Sequence, residues 1–134
     1  MKEFTPEDIE RIEQLIDTEQ RQEVLRELEG MHPADIAELF QHLNLKQAEW
    51  VFELIPNREE KADILMELDE EERKKLMEGM DPEQIGHYID LLDTDDAVDL
   101  IQELDEEDRE EVIQNIGDVE QAGDIVDLLQ YDED

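Results

Sequence analysis

The chain has no cysteine and no serine. Disulfides, thiolate metal sites and cysteine nucleophiles are therefore excluded, and so is a Ser-His-Asp hydrolase. No run of 18 apolar residues occurs, so the segment is not expected to span or insert into a membrane. Met1-Lys2-Glu3-Phe4 is not followed by an apolar stretch, so no secretory signal is visible and a cytosolic location is the default expectation. Positive charge is scarce. Eleven Lys and Arg stand against 44 Asp and Glu, a formal net charge of −33. Nucleic acid and anionic lipid, whose binding relies on positive charge, are not expected as direct partners. There is no alternating apolar run and no Asn-Gly or Asp-Gly pair, hence no strand or hairpin signal. Glycine-rich phosphate loops and HExxH are absent too. His32, His42 and His87 have no second histidine at ligand spacing, and an enzyme is not expected.

What the chain does have is a repeat of 12 residues, best seen in Asp81–Leu92, Asp93–Leu104 and Asp105–Ile116. The same frame fits Thr5–Ile16, Asp17–Leu28, His32–Leu43, Asn44–Ile55, Asn57–Leu68, Asp69–Met80 and Asp118–Leu129. Positions 5, 8, 9 and 12 fall at i, i+3, i+4 and i+7, which form one stripe of a helix. A continuous helix cannot keep that stripe on one side. Twelve residues at about 100° each leave it rotated by about 120° per repeat. The helix must break once in every repeat.

Position 1 marks the break. Thr5, Asp17, Asn44, Asn57, Asp69, Asp81, Asp93, Asp105 and Asp118 carry side chains able to accept a bond from a free amide of the following helix. Pro6, Pro33 and Pro82 stand next, where a missing N–H costs nothing. The sequence predicts an all-α chain of about ten short antiparallel helices, each of about nine or ten residues, stacked as a right-handed α-solenoid or superhelix in a single domain over 1–134. Small residues at position 6 (Ala37, Ala62, Gly86, Gly123) can permit close helix approach. Arg21, Lys61, Arg73 and Arg109 fill position 5, where their stems can cover apolar surface or their charges can pair with acids.

Half of the acid has a local explanation, since 22 of the 44 carboxylates lie in the first four positions of a repeat, near the positive end of a helix macrodipole. The rest is uneven. Residues 1–67 carry 18 acidic and 7 basic side chains, whereas residues 68–134 carry 26 and 4. Between Lys75 and Arg109 there are 13 acids and no Lys or Arg. Salt or divalent cations can relieve such crowding, and hard ions such as Mg²⁺ and Ca²⁺ favour oxygen ligands. Asp95 and Asp99 stand at i, i+4 on one face of a helix start, although a solvated acidic face explains that spacing more simply. Asp93-Thr94-Asp95-Asp96-Ala97 is not an EF-hand loop, because the glycine at loop position six is missing.

Met31-His32-Pro33-Ala34-Asp35-Ile36-Ala37-Glu38-Leu39-Phe40 resembles the opening of the cytosolic N domain of MgtE-type magnesium transporters. The likeness continues through Asp93–Leu100 and into Leu128-Leu129-Gln130-Tyr131-Asp132-Glu133-Asp134. In that family a run of this last kind leads into a pair of CBS domains, so residues 130–134 resemble the start of a linker and the chain resembles an excised N domain. The resemblance implies a superhelical regulatory domain on the cytoplasmic side of the membrane. Such a domain packs against CBS domains of the same polypeptide, within a dimeric transporter, when Mg²⁺ bridges their acidic surfaces, and so favours pore closure. It implies weak, shared Mg²⁺ sites, with metal ligands at Asp63, Asp95 and Asp99. The middle domain of the flagellar motor switch protein FliG is a second likeness, but it carries Glu-His-Pro-Gln where this chain has Met31-His32-Pro33-Ala34. An acidic helical scaffold for a basic partner is a third possibility.

Overall fold

A computed structural model describes residues 3–117 and 119–132. Among these there are ten α-helices and no strand. They are α1 (Pro6–Asp17), α2 (Arg21–Leu28), α3 (Pro33–Gln41), α4 (Leu45–Leu54), α5 (Arg58–Glu67), α6 (Glu70–Glu78), α7 (Pro82–Ile89), α8 (Thr94–Gln102), α9 (Glu106–Gln114) and α10 (Val119–Asp132). Each 12-residue repeat thus contributes one helix, and the chain is all-α.

The breaks are made largely as the repeat predicts. Thr5 Oγ1 accepts from the Asp8 amide at 3.1 Å, and Asp8 Oδ2 accepts from the Thr5 amide at 3.1 Å. This reciprocal box satisfies two otherwise orphan donors. The Thr5 amide also holds the Asp8 carboxyl below its ordinary range. Asn44, Asn57, Asp69 and Asp105 cap α4, α5, α6 and α9 in the same way, each accepting from an amide three residues on. Asp81 and Asp93 hold the cap position in extended backbone but make no side-chain cap bond. At His32 the reach is reversed, its amide donating to the buried Asp35 at 3.3 Å. Asp118 lies outside the described residues.

Asp17 is a correction. It is the last residue of α1, and Gln20 stands before α2 instead. Thr18 closes α1, its amide and its hydroxyl both donating back to the Gln14 carbonyl, the hydroxyl at 2.7 Å. Glu19 then turns the chain at φ 55°, a left-handed conformation that costs a residue with a Cβ.

The chain divides into two compact units, 1–72 and 73–134. In the first, α3 packs chiefly on α5, and α1 packs on α2 and α4. In the second, α7 packs on α9 and α8 on α10. The leading partners are therefore mostly two helices apart, so the apolar stripe of one repeat meets that of the next repeat but one. Position 8 is the centre of the core. It is at most 3% exposed in all ten repeats, from Ile12 and Val24 through Tyr88 and Leu100 to Ile125. Positions 9 and 12 are mostly buried, with exceptions at Glu13, Leu25, Leu43, Met80, Leu104, Ile113 and Val126, which are half-buried.

The small residues at position 6 divide. Ala37 and Ala62 are buried in the pair α3 and α5. A Cβ on Gly86 would lie 2.8 Å from the Asn115 carbonyl oxygen, so glycine there allows α7 to meet the end of α9. Nothing lies within 4 Å of a Cβ on Gly123. Gly86→Ala should therefore destabilise the protein by about 1–3 kcal/mol, because backbone must shift. Gly123→Ala should stabilise it by about 0.5–1 kcal/mol through helix propensity. Thermal melts of the two variants check this, and equal effects would show that Gly86 is not a packing glycine.

Candidate functional site

The carboxylates singled out in the sequence occupy solvent-facing slots. Asp63 is exposed on α5 between the buried Ala62 and Ile64. Asp95 and Asp99 are exposed on α8, whose other face buries Ala97, Val98, Leu100 and Ile101. Asp95 belongs to the first turn, where the helix dipole favours a negative charge.

The structure adds neighbours that the spacing argument missed. Asp95 lines an open cleft of about 390 Å³ with Thr94, Asp124, Asp127 and Leu128. A second cleft beside it, of about 360 Å³, is lined by Asp90, Asp93, Thr94, Glu120 and Asp124, among others. An acidic surface therefore runs from the α7–α8 corner across to α10. Asp124 and Asp127, three apart on α10, share a helix face. Their spacing was visible in the sequence, but only the packing of α8 on α10 brings them to Asp95. Hydrogen bonds from α10 and from the turn before it help to hold it there. Gln121 Nε2 donates to the Leu92 carbonyl at 2.8 Å, and the Gly117 amide donates to Asp90 Oδ2 at 3.0 Å. Asp99 does not line either cleft, and Asp63 belongs to the other compact unit.

The metal donors this surface offers are carboxylate, hydroxyl and amide oxygens, which suit a hard divalent cation. The number of donors does not fill a coordination shell. Among the described residues no three His, Asp or Glu side chains converge closely enough to hold a metal ion. What these residues can offer is one or two carboxylates to an ion that keeps its waters or takes further ligands from elsewhere.

The basic residues at position 5 take distinct roles. Arg21 is exposed. Lys61 is 8% exposed, with Nζ 5.2 Å from the centre of the Phe52 ring, a cation–π contact. Arg73 is also 8% exposed, and its guanidinium grips Glu103 with both Nε and Nη2, the Nε bond measuring 2.8 Å. Arg109 donates from Nη2 to the Leu104 carbonyl at 3.5 Å. Near this last corner the acids crowd one another. The Asp105 carboxylate is the first cause that holds the Asp108 carboxyl above its ordinary range, with burial and a hydrogen bond to Asp105 adding to it and Glu111 and Glu107 contributing further. No described helix is long and apolar enough to cross a membrane.

The model of a family described as the MgtE intracellular N domain matches residues 31–134. No curated protein matches the sequence.

Proposed function

The chain belongs to the MgtE intracellular N domain family, a regulatory domain of magnesium transporters and not an enzyme family, and from that premise we propose that it senses Mg²⁺ through its acidic surface. In this reading, Asp63, Asp95 and Asp99 supply carboxylates to Mg²⁺ ions shared with CBS domains of the same polypeptide, and Asp124 and Asp127 contribute through the cleft they share with Asp95. The observation that carries the proposal is the gathering of Asp95, Asp124 and Asp127 around one open cleft, in a half of the chain with 26 acidic and only 4 basic side chains.

The physical device is charge. At low ion concentration the carboxylates repel one another and any acidic partner. A divalent cation binds the compact arrangement more tightly than the separated one, and so shifts the balance toward docking and a closed pore. Each half-site should be weak in this chain alone, because Mg²⁺ gives up its waters reluctantly.

At matched ionic strength, MgCl₂ should raise the melting temperature of this chain more than NaCl does. At an ion concentration equal to the dissociation constant the gain is roughly 0.4 kcal/mol per site. Equal stabilisation by the two salts would leave only screening. In the full-length transporter, Asp95→Asn with Asp99→Asn should move the midpoint of Mg²⁺-dependent protease protection to higher concentration. If both the midpoint and the ion-free baseline match wild type, these residues are helix-start acids and nothing more.

A further inference from the structure

We propose that the cleft formed by the end of α6, the start of α7 and the α8–α9 corner is a docking groove for a basic amphipathic polypeptide segment. One apolar side chain of that segment would sit on Met80 and Leu104. Its flanking Lys or Arg side chains would meet Glu78, Asp105 and Asp108.

The first ground is the repeat itself. Position 12 is buried at Ile16, Leu28, Ile55, Leu68, Leu92, Ile116 and Leu129. At Leu43, Met80 and Leu104 the same position is only half-buried, and the last two side chains line one cleft of about 540 Å³. That volume lies within the range of about 300–1,000 Å³ typical of ligand sites. The core of the second unit thus leaves two stripe residues of one cleft short of the cover that most of their counterparts have.

The second ground is charge complementarity. Glu78, Asp105 and Asp108 line the same cleft and outnumber its Lys74, while Glu103 is gripped by Arg73. The stretch from Leu76 to Asp108 has no Lys or Arg at all. Mutual repulsion already raises the Asp108 carboxyl, and an incoming ammonium or guanidinium group relieves it. A second copy of this chain is a poor occupant, since each copy carries a formal charge of −33. A nucleic acid or an anionic bilayer is a poor occupant for the same reason. The groove does not use the carboxylates proposed for Mg²⁺, so the two readings stand or fall separately.

The test uses the full chain and two fluorescent helical peptides of equal charge, lysines on one face, with either leucine or alanine at the centre of the other. The leucine peptide should bind roughly tenfold more tightly by anisotropy, and Glu78→Lys should weaken it by roughly tenfold. Met80→Gln should erase most of the difference between the peptides. Glu10→Lys, the same charge change on the exposed face of α1, should alter affinity by no more than about twofold. Amide shift changes in the unmutated chain, which do not depend on any variant folding, should concentrate at residues 77–85 and 102–112. Equal affinity for the two peptides, equal effects of Glu78→Lys and Glu10→Lys, or shift changes spread over the acidic surface would each overturn the groove and leave only diffuse attraction.

Discussion

Leu100→Asp should unfold the unit that spans residues 73–134. Leu100 is fully buried at position 8 of its repeat, on the face of α8 opposite Asp99. The substitution removes roughly 1.5–3 kcal/mol of apolar burial. It also places an unpaired carboxylate where no water reaches, at a further cost of several kcal/mol. A unit of about 60 residues has only about 3–9 kcal/mol of stability to lose. The loss therefore matches or exceeds the reserve. Asp99→Ala, one residue away on the exposed face, should change stability by no more than about 0.5 kcal/mol. Amide hydrogen exchange across α7–α10 checks the pair. Wild-type protection in Leu100→Asp would mean that the stripe is not the core. Near-neutral Leu100→Asp together with damaging Asp99→Ala would mean that the frame is out of register.

The frame was legible because two independent signals agree in the sequence. The apolar stripe sets where the core lies, and the capping residue sets where each helix starts. Where the second signal stood alone it misled. Asp17 has a good capping side chain, but it is the last residue of α1, and Gln20 stands before α2. Periodicity also marks the slot and not its depth. Position 12 reads the same at Leu92 and Leu104, yet only the first is fully covered, because cover depends on which helix lies opposite. Glycine at position 6 shows the same limit. Gly86 and Gly123 look alike in sequence, and only Gly86 has a backbone carbonyl against it.

The acidic surface was legible as composition and not as a site. Counting showed where carboxylates exceed bases, and spacing picked out Asp95 and Asp99. The fold keeps both exposed but associates Asp95 with Asp124 and Asp127, some 30 residues later, rather than with Asp99. That association requires α8 to pack on α10, a long-range contact that no local pattern announces. As metal ligands, Asp63, Asp95 and Asp99 rest on the family likeness and not on a local pattern.

The second large effect is expected at the buried ion pair. Arg73 takes position 5, an apolar slot at Ile85 and Ala97, and the sequence left open whether its stem or its charge mattered. Its side chain and that of Glu103 are each about 10% exposed, and the guanidinium binds both carboxylate oxygens. Two ions withdrawn from water in this way cost several kcal/mol each, and their mutual attraction and bidentate geometry offset that cost. Glu103→Leu alone should therefore destabilise the protein by about 3 kcal/mol, since the buried Arg73 loses its bidentate partner. Arg73→Met alone should do the same by leaving the carboxylate. Together, Arg73→Met and Glu103→Leu should recover most of the loss, because the pair is replaced by apolar groups in a slot that other repeats fill with apolar residues. The double-mutant cycle measured by denaturant unfolding should give a coupling of about 2 kcal/mol or more. Additive single effects would show that the two charges are solvated independently. A coupling that persists in 1 M salt separates this pair from the exposed bridge of Arg11 with Glu27, where the arginine side chain is 50% exposed and screening should remove most of the interaction.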